Sequence, residues 1–207
     1  MAGRAENEGS SIGRRCRRIV VALLLCAVAP SAHAQLQAEN LLVKLPPGFM
    51  VGSRHTQNGM HMEEWVPEGQ TVDDWSEMVT MQIFFGRGAW DPVGFLNSLG
   101  QGWLSTCRGG SEDPMQSSQA NGYPVSMVLM HCPLNPKAGK PETTLLRAIK
   151  GKDSFYLAQY AVRATSDKDQ VAKMDKYLGT VTVCDTRSSD HPCPDLKAKG
   201  VVPVVPR

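Results

Sequence analysis

Apolar positions along this chain fall into short runs broken by turn residues, and the spacing within each run predicts its element. Leu41 to Leu45 is apolar apart from Lys44 and enters the turn Pro46-Pro47-Gly48. Phe49 to His55 predicts a second extended segment, and Gln57-Asn58-Gly59 a hairpin turn behind it. Met60 to Val66 alternates: Met60, Met62, Glu64 and Val66 share one face of a strand, with Glu63 and Trp65 on the other. The pattern puts the methionines toward a core and the histidines toward solvent. Further strands are expected over Met78 to Phe85, Tyr123 to Cys132, Thr143 to Ile149 and Ser154 to Arg163, the last two joined by Gly151-Lys152-Asp153. Gly109 to Pro114 and Pro133 to Pro141 are expected as loops, the latter an exposed connection.

Two segments switch to helical spacing. Asp91-Pro92 supplies a capping oxygen and a first-turn proline, and Phe95, Leu96, Leu99, Trp103 and Cys107 form a stripe behind them. Ser166 with Asp169 three residues on resembles a capping box, followed by Val171, Met174, Leu178 and Val181. Consecutive hairpins and two amphipathic helices predict an α+β fold with a largely antiparallel sheet; a β-sandwich is the alternative. Residues 35–196 are expected as one disulfide-bonded domain, with 197–207 a flexible tail that has neither helix nor strand support.

The first 34 residues read differently. Arg14, Arg15, Arg17 and Arg18 precede an uncharged run from Ile19 to Ala29, and Ala32 and Ala34 give the small-x-small pattern of a signal peptidase site before Gln35. The apolar run is far short of the roughly 20 residues of a membrane-spanning helix. A cleaved signal and a periplasmic location follow as expectations, with the general secretory route favoured over a twin-arginine route, which Arg17-Arg18 only loosely matches. Five arginines and two glutamates fall in this segment, so removing it takes the formal net charge from +2 to about −1. That excludes the basic footprint of a nucleic-acid binder.

Cys107, Cys132, Cys184 and Cys193 remain after the signal. Four cysteines in an exported domain predict two disulfides with three possible connectivities, of which the short-range Cys107–Cys132 and Cys184–Cys193 is favoured.

Candidate chemistry is dispersed. His131 beside Cys132 would suit a thiol nucleophile, but strand neighbours point to opposite faces. Met60, His61 and Met62, with His55 and Met50 nearby, carry the soft donors that select Cu(I). On a regular strand His61 points away from both methionines. Glu63, Glu64, Glu68, Asp73, Asp74 and Glu77 form an acidic cluster that matches no calcium loop. Trp65 and Trp75 bracket it and, exposed together with Glu64, Asp73 and Asp74, would make a ligand-binding surface. No nucleophile elbow, phosphate loop, dinucleotide fingerprint, zinc-protease helix or paired-cysteine redox motif is present.

From Glu39 onward the chain resembles a family of exported proteobacterial proteins of unassigned function. The resemblance lies in LLVKLPPGF (Leu41 to Phe49), EWVPEGQTVDDWSEMVTMQIF (Glu64 to Phe84), HCPLNPKAGKPE (His131 to Glu142) and VCDTR (Val183 to Arg187). It supplies no activity to transfer. The element order is also similar to that of PsbP-like domains, mostly non-catalytic accessory proteins. The expectation is a periplasmic, non-catalytic binding or accessory module without a cofactor. Its partner would be another envelope protein or a small ligand, and no membrane span is expected after signal cleavage. A periplasmic hydrolase using the carboxylates or His131, and a copper-binding protein, are the alternatives.

Overall fold

The computed structural model describes Leu36 and residues 38–205; the expected signal and its cleavage point at Ala34-Gln35 lie outside the described residues. In chain order the elements are β1 (Glu39–Val43), β2 (Phe49–Gln57), β3 (Met60–Pro67), β4 (Glu77–Phe85), α1 (Pro92–Thr106), β5 (Ser111–Glu112) and β6 (Gln116–Ala120). There follow β7 (Tyr123–Asn135), β8 (Lys140–Lys150), β9 (Ser154–Val162), α2 (Lys168–Leu178), β10 (Thr182–Asp185), α3 (Leu196–Lys199) and β11 (Val202–Pro203). The fold is α+β, and every strand pairing is antiparallel. No helix among the described residues is long and apolar enough to cross a membrane.

The large sheet runs β2-β3-β4-β9-β8-β7-β5, with β6 also pairing with β7. Its central strands are buried on both faces, which is why β9 (SFYLAQYAV) reads as an almost unbroken apolar run. Asn58-Gly59 closes β2 onto β3 with positive φ at both residues (50° and 74°), the type I′ geometry that matches strand twist. Asn121-Gly122 does the same for β6 and β7 (49° and 79°). Expected from neither pattern nor spacing, β6 is a polar edge strand (QSSQA) whose register is set by that turn.

Two layers cover the sheet. On one face α1 packs Leu96 against Val128, Met130, Leu146, Ala148, Phe155 and Leu157. The other face carries α2, through Met174 and Leu178, and a second small sheet of order β10-β1-β11, through Leu41, Val43 and Val183. Alternation defines the faces: His61, Ile83, Tyr156, Ile149 and Val125 pair across the sheet in one row, and Met62, Gln82, Leu157, Ala148 and Ser126 in the next.

The α1 cap is as expected, Asp91 accepting from the Gly94 amide at 2.7 Å. Leu99, placed on its stripe by spacing, is 38% exposed instead. The α2 cap is Asp167, accepting from the Gln170 amide at 2.8 Å, one residue beyond Ser166. A carboxylate is the stronger partner for the positive helix end. Pro133 to Pro141 is not a loop throughout: β7 continues to Asn135 and β8 begins at Lys140, a β-hairpin. Most notably, the expected tail contains α3 and β11; Pro203 pairs with Leu42 on β1, and Val201 and Val204 are buried. Proline is tolerated there because β11 is an edge strand.

Both disulfides take the short-range connectivity. Cys107–Cys132 ties the end of α1 to β7, and Cys184–Cys193 ties β10 to the segment that follows it. Asp185, between the second pair of cysteines, is buried and accepts from the Arg187 backbone amide (2.9 Å), its Nε (2.8 Å) and its Nη2 (2.7 Å). The bonds from the Arg187 side chain are the main reason its carboxyl is pulled down to about 2 from 3.8. A carboxyl depressed in the folded state contributes stability above its unfolded pKa and loses it as pH falls through the folded value. Asp185→Asn is therefore expected to be less stable than the parent at pH 7. The difference should persist to about pH 4 and close by about pH 2. Urea midpoints at pH 7, 4 and 2 measure this, and a constant difference across the three would sink the assignment.

Candidate functional site

A hollow of about 380 Å³ lies between the small sheet and the β2–β3 end of the large one. Its walls are apolar: Val43 from β1, Leu45 just beyond it, Val51 from β2, and Val202 through Val205 from the C-terminal segment. Its polar elements are Arg54, Glu63 and Trp65. Gly52 sits at a bulge between Val51 and Ser53, and the register shift turns both Val51 and Arg54 onto the cavity face.

Glu63 organises the polar end. Its Oε1 accepts from Arg54 Nε at 2.7 Å and lies 3.3 Å from His61 Nε2, while its Oε2 accepts from Trp65 Nε1 at 3.2 Å. Burial pushes the Glu63 carboxyl up, but the hydrogen bonds from Arg54, His61 and Trp65 outweigh that and hold it below its ordinary value. Among the described residues only the Nε of Arg54 is engaged. The remaining guanidinium donors, on a side chain 31% exposed, are left to face the cavity or water. The arrangement is an apolar chamber whose polar end carries the Arg54–Glu63 ion pair, with guanidinium donors left over.

The core face of β3 is thus the reverse of the expectation. His61 is 0% exposed and Glu63 and Trp65 are buried, whereas Met60 and Met62 are half-buried on the far face. The histidine is satisfied from both sides: Thr56 Oγ1 stands 2.7 Å from Nδ1 and Glu63 holds Nε2. Buried polar groups are acceptable when every member is paired. Thr56, His61 and Glu63 have the nucleophile–base–orienter order of a hydrolase. Neither Thr56 nor His61 lines the cavity, however, and Arg54 already neutralises the carboxylate that would have to stabilise an imidazolium.

The other expected residues are dispersed. Trp65 and Trp75 do not form one surface. Trp75 packs with Val66, Met78 and Ala161 on the opposite face of the sheet, and both indoles are buried. Arg163 lies over the Trp75 ring at 4.1 Å and donates to the Asp73 carbonyl at 3.1 Å, so the place of a stacked ligand is taken. Asp74 borders a second hollow of about 330 Å³, which Trp75 and Arg163 also line, and lies 4.0 Å from Arg163. Glu64 is half-buried on the methionine face. His61 points away from Met60 and Met62, so that trio does not converge. His131 lies 3.6 Å from Asp113, and Cys132 is consumed in its disulfide. Among the described residues no three His, Cys, Asp or Glu side chains are grouped to hold a metal ion.

Val43, Leu45, Val51, Arg54 and the Val202 to Val205 segment are the cavity residues that the sequence did not single out. The one available signal was the apolar run VVPVV, which the prolines disguised as a loose end.

No protein-family model matches the chain, and no curated protein matches it. Among solved structures the chain is similar to the Ran-binding protein Mog1p of Saccharomyces cerevisiae, at 17% identity over 66% of this chain and 84% of that one, TM-score 0.39. It is similar also to cyanobacterial PsbP (CyanoP) of Synechocystis, at 7% identity over 75% and 98%, TM-score 0.39. A third is LpqN of Mycobacterium tuberculosis, involved in cell envelope biogenesis, at 12% identity over 73% and 87%, TM-score 0.39.

Proposed function

We propose that the protein is an exported, periplasmic, non-catalytic binding module, cleaved after Ala34, that holds an apolar molecule with an anionic group in the cavity beside Trp65. The observation that carries this reading is the cavity itself: an apolar chamber of about 380 Å³ with a guanidinium at its polar end. Its volume falls within the range of about 300–1,000 Å³ occupied by small-molecule sites. Export is supported by the signal pattern ending at Ala34 and by two disulfides, which persist in an oxidising compartment.

The test uses a fluorescent fatty acid, cis-parinaric acid, titrated against the protein with energy transfer from tryptophan as the signal. Saturable binding at one site per chain is expected. Val51 and Leu45 are 39% and 44% exposed, so tryptophan at either position fills the cavity without disturbing the core. Each of Val51→Trp and Leu45→Trp should weaken binding by about tenfold or more. Absence of saturable binding, or an affinity unchanged from the parent in both variants, would overturn the assignment.

A further inference from the structure

The far face of the large sheet carries a cluster of soft donors that the cavity does not use. Met60 and Met62 lie two residues apart on β3, so their thioethers share that face. Gln82, directly across from Met62 on β4, places its amide nitrogen 3.4 Å from both sulfurs. His55, on β2, stands directly across from Met62 on the other side. Directly opposed residues bring their Cβ atoms to about 4.5–5.5 Å, within reach of one bound ion. α1 packs over β7 and β8, and the four side chains over β2–β4 stay half-buried and open to water.

The Gln82 amide is the informative contact. A primary amide turns two positively polarised hydrogens toward its acceptors, and here both acceptors are thioether sulfurs. Its nitrogen occupies the point from which a small cation would meet the same two lone pairs. Gln82 is itself half-exposed and free to turn outward. Two thioethers and an imidazole form a donor set that selects Cu(I) over hard divalent ions.

We infer that His55, Met60 and Met62 form a surface site for a soft monovalent cation, Cu(I) or its redox-inert analogue Ag(I), with Gln82 displaced on binding. The site lies on the opposite face of the sheet from the cavity, so it stands independently of the ligand proposed there.

The experiment is an Ag(I) titration of the full chain in chloride-free buffer, read from labelled methionine methyl resonances. Cys16 and Cys26 are changed to serine so that no thiol competes. The Met60 and Met62 resonances are expected to shift and saturate at one equivalent while the remaining methionines stay in place. Competition against bathocuproine disulfonate should then give one Cu(I) per chain. Met60→Leu with Met62→Leu should weaken the affinity about a hundredfold, and His55→Ala about tenfold. Unshifted Met60 and Met62 resonances would overturn the inference in the parent protein alone, whatever the variants do. An unchanged affinity in the double variant would overturn it too, as would an equal response to Zn(II).

Discussion

Replacing Glu63 with alanine should lower the free energy of unfolding by about 3 kcal/mol, near the lower end of what breaking a buried ion pair costs. Three donors lose their acceptor together: Arg54 Nε, His61 Nε2 and Trp65 Nε1. His61 is fully buried and has no water to turn to, whereas Arg54 keeps partial access, which is why the larger figures for sealed pairs do not apply. Glu63→Gln keeps the shape and one acceptor oxygen and should lose about 1 kcal/mol. The Glu63 carboxyl is depressed in the folded state, so the charge-dependent part of the loss belongs to the pH range above its ordinary 4.5. It should narrow as acid protonates the parent. Urea unfolding of both variants at pH 7 and pH 3 tests this. Alanine and glutamine variants of equal stability would show that the carboxylate does not hold the network together.

Removing the Cys107–Cys132 disulfide should cost more than removing Cys184–Cys193. The first closes a loop with a sequence separation of 25 and the second one of 9. On the chain-entropy model these constraints stabilise the fold by about 3.5 and about 2.7 kcal/mol. For a chain of this size the larger loss lowers Tm by about 7–14 °C. Both sites are tied to the core, since Cys107, Cys132 and Cys184 are all buried. The paired variants Cys107→Ala/Cys132→Ala and Cys184→Ala/Cys193→Ala, compared by thermal unfolding at one protein concentration, give the order. The reverse order would mean that packing of the small sheet around Cys184 outweighs loop entropy.

Elements with a local signature were legible in the sequence: the Asn58-Gly59 hairpin, the Asp91-Pro92 start of α1, and the buried runs of β4, β8 and β9. Each depends on residues adjacent in the chain or spaced by one regular period. What could not be read depends on partners distant in sequence. MHMEEWV has apolar residues on both faces, and only the arrival of Arg54 from β2 makes the His61–Glu63–Trp65 face the one that can be buried. Trp65 and Trp75 looked like a pair because they lie ten positions apart, but β3 ends between them and the second indole returns on the opposite side. Val201 to Val205 carried no periodic pattern because its short strand is defined by pairing with β1, near the start of the fold. The cavity was invisible for the same reason: its two walls come from opposite ends of the described chain.

That last pairing fixes an order of events. On any path that delivers the chain from N- to C-terminus, β1 is available long before its neighbours, because Leu42 must pair with both Thr182 and Pro203. Until then Leu41, Leu42 and Val43, all fully buried in the finished fold, have no settled place. The hairpins β2–β3–β4 and β7–β8–β9 close on local turns and can form first, whereas loop closure for β1 spans nearly the whole domain. The small sheet cannot be completed before residue 203 is available, so a chain stalled short of it can close its main sheet but lacks the wall that Val202 to Val205 give the cavity.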